Sequence, residues 1–297
     1  MRAARIHQFG TADVITVDEI PCPTPGPGQV LIKVAATSMN PTEAALRAGL
    51  LRAIVATDFP LTLGWDVAGV VVGPDVGGHR TGDRVIGWIE GAAAEYAVAD
   101  ASALVSAPTT VPLADAAALP LAGLTAWQVI EAARLTEGEV VLINGAGGGI
   151  GGFAVQLAKR TGARVIATAG PRSASTVRAQ GADTVIDYTT TAVEAVIGDP
   201  VDVVVNLVPL GATRSNVLTS LAGADGRIVS ATDVITAPNS THIVADNDPV
   251  DLARSVRLID RGELTLDISE RHTLDDLATL HRRSEAGELR GKVVVAV

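Results

Sequence analysis

Hydrophobic and polar positions change rhythm along this chain. Over the first third, short β-branched and aliphatic runs at 14–19, 30–35, 67–72, 84–88 and 95–98 alternate with Gly/Pro punctuation, most densely at 21–28. Short runs bounded by turn residues predict an antiparallel or barrel-like β domain. From Ala114 helical patterning takes over, first at 114–133 in pieces broken near Pro120 and Gly123. Strands are then predicted at 140–144, 164–168, 184–186, 201–206, 227–230 and 242–245, with helices between the first five. Right-handed crossovers wind such a series into a doubly wound parallel sheet. The segment 264–268, a helix over 274–285 and a strand over 292–297 have no place in that sheet, so the tail is expected to return to the β domain. The predicted class is α/β, with a β-rich domain of residues 1–116 and 263–297 around a doubly wound domain of 117–262.

The most informative stretch is 140–159, VVLINGAGGGIGGFAVQLAK, where an aliphatic run ends in a glycine-rich turn that opens a helix. Glycines let the backbone approach a phosphate, and the helix N-terminus favours the anion, so strand, turn and helix in this order predict a dinucleotide site. Candidate contacts are Ala146, Gly147, Gly148, Gly149 and Ile150. Two registers fit, Gly147-x-Gly149-x-x-Gly152 and Ala146-x-Gly148-x-x-Gly151. An NAD enzyme normally places Asp or Glu at the end of the next strand, for the ribose hydroxyls. Here that end reads Ala169-Gly170 with no acid, and Arg172 and Ser173 follow, which predicts NADPH.

Composition narrows the class. With 297 residues, 47% hydrophobic, the chain has material for one to two large cores, and with 3% aromatics those cores must be built from Ala, Val, Leu and Ile. A net charge of −10 without a dense basic block argues against a nucleic-acid surface. No apolar run reaches the ~18 residues of a membrane span, and the start MRAARIHQF lacks a signal-peptide core. Cys22 is the only cysteine, which suits a reducing cytoplasm.

The segments MNPTEAALRAG, PLTLGWDVAGVV, GDRVIGW, AEYAVAD, AALPLAGLTAWQ, the glycine turn, GADTVIDY and LRGKVVVAV occur in this order over nearly the whole chain. Together they resemble the zinc-free quinone oxidoreductase branch of the medium-chain dehydrogenase/reductase superfamily. The resemblance implies a GroES-like β domain split by a Rossmann cofactor domain, NADPH dependence, and a homodimer joined through the cofactor-domain sheets.

In the superfamily's alcohol dehydrogenases a Cys near Ser38 and a His-Glu pair after a glycine hold catalytic zinc. Here the stretches read TSMNP and Gly64-Trp65-Asp66, and the five histidines are scattered and read as surface residues, so no metal site is expected. Without a Lewis acid, hydride delivery to an isolated ketone leaves charge on one oxygen, whereas a quinone or enone spreads it through a conjugated system. The expected activity is NADPH-dependent reduction of a quinone or an α,β-unsaturated carbonyl compound in a dry cleft between the domains, mainly by positioning.

The resemblance places Asn40, of an Asn-Pro motif, beside the nicotinamide ribose and substrate, although a loop Asn also shapes turns; the motif's usual Asp three residues on is Glu43. Thr125 resembles a family threonine that contacts the nicotinamide, and alone it reads as a helix-start hydroxyl. Trp65 fits core or active site, and Asp66 fits a turn, an ion pair or a substrate contact. Tyr188 resembles a family tyrosine near the adenosine phosphate, or is half-buried packing. Asn206 and Val208, with the stretch 230–232, follow successive strands where the cofactor crosses the sheet's carboxyl edge. No proton donor stands out. An enoyl-thioester reductase would use the same fold, although no basic patch for a CoA phosphate is evident, and a cofactor-binding sensor with little turnover is the reading from another class.

Overall fold

The computed structural model describes residues 1–53 and 55–297. In chain order its strands are β1 (Arg2–Ile6), β2 (Ile15–Glu19), β3 (Gln29–Ser38), β4 (Leu61–Thr62), β5 (Asp66–Gly73), β6 (Arg84–Trp88), β7 (Tyr96–Asp100), β8 (Leu104–Ser106), β9 (Val140–Asn144), β10 (Arg164–Thr168), β11 (Thr184–Ile186), β12 (Val201–Asn206), β13 (Ala222–Ser230), β14 (Ser240–His242), β15 (Ile268–Thr273) and β16 (Lys292–Ala296). The helices are α1 (Pro41–Arg47), α2 (Pro120–Ala133), α3 (Gly149–Arg160), α4 (Ala174–Ala179), α5 (Ala212–Leu221), α6 (Pro249–Asp260) and α7 (Leu277–Glu285).

Two compact units divide the chain, Met1–Leu121 with Asn247–Val297, and Ala122–Asp246. The first boundary lies close to the expected 116/117. The second lies at 246/247, where 262/263 was expected, and α6 packs against β8 within the first unit. Asp248 caps α6 by accepting from Val250 N–H at 2.7 Å, Pro249 supplies a preset first turn, and Leu252, Val256 and Ile259 form its buried stripe.

In the first unit, β15, β16, β3, β5, β6 and β8 lie side by side in that order, with β7 also on β3, and β2-β1-β4 form a separate small sheet. The tail returns as expected: β16 pairs antiparallel with β3. Its strand β15 starts at Ile268, four residues past the start of the expected 264–268 run. One core gathers Val30, Ile32, Val67, Val71, Val85 and Leu104; a second gathers Ile6, Met39, Leu277, Leu280, Val293 and Val295. The histidines were expected at the surface, and His281 departs from that: it lies fully buried on α7, its ring nitrogens without hydrogen-bond partners.

The second unit holds one parallel sheet ordered β11-β10-β9-β12-β13-β14. Val141, Leu142 and Ile143 are all fully buried, so β9 is covered on both faces, as its aliphatic run required. The order reverses at β9, and its carboxyl end is the crevice where such sheets bind ligands. Three local expectations change. The helix expected between β11 and β12 is only a 3-10 turn at Val193–Ala195, in a Thr-rich stretch closed by Gly198 and Pro200. Gly123 does not break α2, whose Pro120 sits at the first turn, where no N–H is lost. The last strand is Ser240–His242 rather than 242–245.

Candidate active site

The glycine turn follows β9 directly. Gly145 has φ +93°, and its N–H donates to Thr168 Oγ1 at 2.9 Å. The helix α3 starts at Gly149 with Gly148 as its N-cap in extended backbone and no side-chain cap, so the first N–H groups, those of Gly149 and Ile150 among them, have no side-chain acceptor of their own. The glycines of the turn differ in the space around them. A Cβ on Gly151 would lie 2.4 Å from the Gly145 carbonyl oxygen and 2.5 Å from Ala146 Cα, so Gly151 permits the helix to press on the turn. A Cβ on Gly148 would meet nothing nearer than 3.6 Å. These placements suit the last and middle glycines of Ala146-x-Gly148-x-x-Gly151, while in the other register Gly152 is also crowded, 2.7 Å from Gln180 Nε2 where its Cβ would be.

Beside the turn stands the acid-free end of β10. Ser173 is buried, and a Cβ on Gly147 would lie 2.2 Å from its Oγ, so the loop after β10 closes against the glycine turn. Arg172 is exposed next to it, and Tyr188 is 52% exposed with its hydroxyl beside Gly170.

A polar ladder crosses four strand ends. Thr168 Oγ1 donates to Asn144 Oδ1 at 2.9 Å, Asn144 Nδ2 to Asn206 Oδ1 at 2.9 Å, and Asn206 Nδ2 to Ser230 Oγ at 3.2 Å and Thr232 Oγ1 at 3.0 Å. Asn206 also donates to the Val208 carbonyl at 2.9 Å, as does Thr232 Oγ1 at the same distance. Asn206 is fully buried, so its amide is a fixed strut under the carboxyl edge. Asn144 and Thr168 escaped the sequence reading because they end strands as ordinary polar residues.

In the first unit, Asn40 ends the β3 loop at the start of α1, and its environment is a buried ion cluster. Its Nδ2 donates to Asp66 Oδ2 at 2.8 Å and to Glu43 Oε1 at 3.0 Å, with Ser38 O at 3.4 Å. Its Oδ1 accepts from Lys292 Nζ at 2.6 Å. Asp66 also accepts from the Ser38 hydroxyl and, at 2.8 Å, from Leu121 N–H, while Lys292 Nζ lies 3.3 Å from it. Asn40, Glu43, Asp66 and Lys292 are each at most 3% exposed. Asp66 is therefore an ion-pair residue. Glu43, one methylene longer than the family's Asp, keeps the bond to Asn40 and accepts from Gly64 N–H at 3.0 Å. Burial pushes its pKa up to about 7, and the Asp66 carboxylate adds to this against the bonds from Asn40 and Gly64 and the charge of Lys292.

Trp65 is partly exposed, its ring 6.2 Å from that of Trp88. It borders, with Glu43, a small cavity of about 30 Å³. Thr125, in the other unit, is the sixth residue of α2 and buried, too deep in the helix to be a cap. Lys292 was missed by sequence reasoning, since KVVVA reads as a plain strand.

Zinc does not fit this cluster. Around Asp66 the chain offers a serine hydroxyl, an amide and a second carboxylate already bonded to Asn40 and Gly64, and an ammonium stands 3.3 Å from the Asp66 carboxylate where a dication would be repelled. Among the described residues no group of three or more His, Cys, Asp or Glu side chains is arranged to hold a metal ion.

A β unit interrupted in sequence by a doubly wound parallel sheet with a glycine turn defines a dinucleotide-dependent oxidoreductase architecture. Residues 26–109 match the alcohol dehydrogenase GroES-like domain, and residues 180–295 match the model described as zinc-binding dehydrogenase. The chloroplast envelope quinone oxidoreductase homolog of Arabidopsis thaliana is 32% identical, over 93% of this chain and 92% of its own. The chloroplastic NADPH-dependent alkenal/one oxidoreductase of the same plant is 32% identical over 99% of this chain and 79% of its own. The solved quinone oxidoreductase of Coxiella burnetii superposes with a TM-score of 0.91 at 31% identity, covering 100% of this chain and 99% of that one. The chain belongs to the medium-chain dehydrogenase/reductase superfamily, in its zinc-free quinone oxidoreductase branch.

Proposed function

We propose that this protein is a metal-independent, NADPH-dependent reductase of quinones or α,β-unsaturated carbonyl compounds. The observation that carries the reading is the Lys292 ammonium against Asp66, in a cluster that leaves no room for a Lewis acid. Without one, only an acceptor that delocalises the incoming charge is reduced readily. Relatives named for quinones and for alkenals or enones support the same class.

Bound at the glycine turn, NADPH supplies the hydride. The N–H groups at the start of α3, with Ala146, Gly147, Gly148, Gly149 and Ile150 lining the turn, hold the pyrophosphate. Arg172, Ser173 and Tyr188 receive the adenosine phosphate. Asn206 stiffens the sheet edge along which Val208 meets the cofactor. Asn40, Thr125 and Trp65 orient the nicotinamide and acceptor, so that rate comes from positioning. The proton that completes the reduction comes from solvent.

The same reading includes a homodimer and a cytoplasmic setting. Supporting the first, β14 is the outer strand of its sheet and Val234 and Val244 near it are 73% and 80% exposed; supporting the second, the single cysteine, Cys22, is exposed and unpaired. No described helix is long and apolar enough to cross a membrane.

Loss of NADPH absorbance in the presence of a chelator, measured against quinones, alkenals, enones and enoyl-CoAs, tests the activity. Turnover with the first three groups is expected. Turnover with thioesters alone, or none at all, would overturn the reading.

A further inference from the structure

A lysine that is 3% exposed persists only if its ammonium is fully paired. At Lys292 the shortest contact goes to an uncharged group: Nζ lies 2.6 Å from Asn40 Oδ1, against 3.3 Å to Asp66 Oδ2 and 3.4 Å to Met39 O. On the far side of the same amide, Nδ2 meets two carboxyl groups, Asp66 at 2.8 Å and Glu43 at 3.0 Å. A cation at the oxygen end and acidic groups at the nitrogen end align with the amide dipole. Turning the amide over would set its oxygen against the Asp66 carboxylate and its NH₂ against the ammonium, so one orientation is enforced.

The hydrogen-bonding capacity of Asn40 is thereby nearly exhausted. Both Nδ2 hydrogens are engaged, and of the two Oδ1 lone pairs one is taken. One acceptor site, polarised by a charged donor, is left for a ligand. We propose that Lys292 is a positioning residue of the reductase: it fixes Asn40 with that single lone pair outward, and Asn40 uses it to accept a hydrogen bond from a hydroxyl group of the bound dinucleotide. This rests on the reading that places Asn40 at the nicotinamide end. The cation of this centre is then supplied by the chain itself and acts on the amide rather than on the substrate.

A double-mutant cycle between Lys292→Met and Asn40→Ala tests the coupling, with NADPH affinity read by fluorescence titration and kcat with the best quinone or enone. Because Lys292→Met alone leaves Asp66 unpaired and can prevent folding, the Lys292→Met/Asp66→Asn double variant, which removes both charges of the pair, is measured beside the cycle, with the folding of every variant checked by thermal melting. Each single change is expected to weaken NADPH about three- to tenfold and to lower kcat on the order of 100-fold, with acceptor KM little changed. Combined, they should cost no more than either alone, because Lys292 acts through Asn40. Losses that multiply, or a Lys292→Met variant with unchanged affinity and kcat, would overturn the proposal. Unchanged behaviour of Asn40→Ala itself would instead contradict the placement of Asn40.

Discussion

Gly151 faces Gly145 so closely that a Cβ on the first would stand 2.4 Å from the carbonyl oxygen of the second. Three residues earlier, Gly148 has φ −88°, ordinary for any residue, and a Cβ there would meet only the Gly145 carbonyl oxygen, at an ordinary 3.6 Å. The two glycines therefore fail differently. Gly151→Val should drive α3 off the turn and lose several kcal/mol of stability through overpacking against backbone. Gly148→Val should fold with a melting temperature near that of the parent and lose NADPH binding, because its side chain fills the phosphate's space. Melting curves and fluorescence titration of the two variants separate these outcomes.

In the proposed reading, cofactor choice depends on the exposed Arg172 beside the acid-free end of β10. A charge-assisted hydrogen bond to the 2′-phosphate is typically worth roughly 1.5–3 kcal/mol, so Arg172→Ala should raise the Kd for NADPH by about 10- to 150-fold and leave that for NADH nearly unchanged. Equal losses for both would remove Arg172 from the phosphate site.

His281 sets an acid limit on stability. Burial, with the nearby charge of Arg47, lowers its pKa from 6.5 to about 3, so the neutral ring favours the folded chain above pH 6.5. That contribution is lost as pH falls from 6.5 toward 3, by up to about 1.4 kcal/mol per unit, or about 3 kcal/mol at pH 4. His281→Leu should flatten the loss of stability between pH 6.5 and pH 4 in urea unfolding. An unchanged acid limb would mean that other groups set it.

Glu43 acts at the opposite end. Its folded pKa of about 7 exceeds the ordinary 4.5, so its contribution is full below pH 4.5 and is lost as pH rises through 7. The parent should therefore lose on the order of 3 kcal/mol between pH 4.5 and pH 9 that Glu43→Gln does not lose. Parallel stability curves for the two over this range would contradict it.

What the sequence made legible was local. The strand, turn and helix over 140–159 are contiguous, and each part carries its own signal, so β9, the turn and α3 fall where expected. The alternation of strands and helices likewise foretold the parallel sheet. The start of α6 was also written in the chain, as Asp248-Pro249 ahead of a stripe at Leu252, Val256 and Ile259, and reading it would have moved the second domain boundary. The short strands β4 and β8 and the charged-ended β1 carry too little pattern to stand out. The ion cluster was illegible for another reason. Lys292 meets Asp66 across 226 positions and Asn40 across 252, and no local rhythm marks a lysine whose partners are brought by the sheet. His281 was hidden the same way, on a mostly polar helix whose inward face only the fold defines.

The most direct test of metal-free conjugate reduction follows the hydride itself. Chelator-treated protein, shown by elemental analysis to hold well under one zinc per chain, is incubated with NADPH deuterated at C4 and an enone, and the product is examined by NMR. The expected product carries deuterium on the carbon β to the carbonyl and a solvent-derived proton on the α carbon, at an undiminished rate. Deuterium on the carbinol carbon, or turnover that vanishes with chelation and returns with zinc, would contradict it.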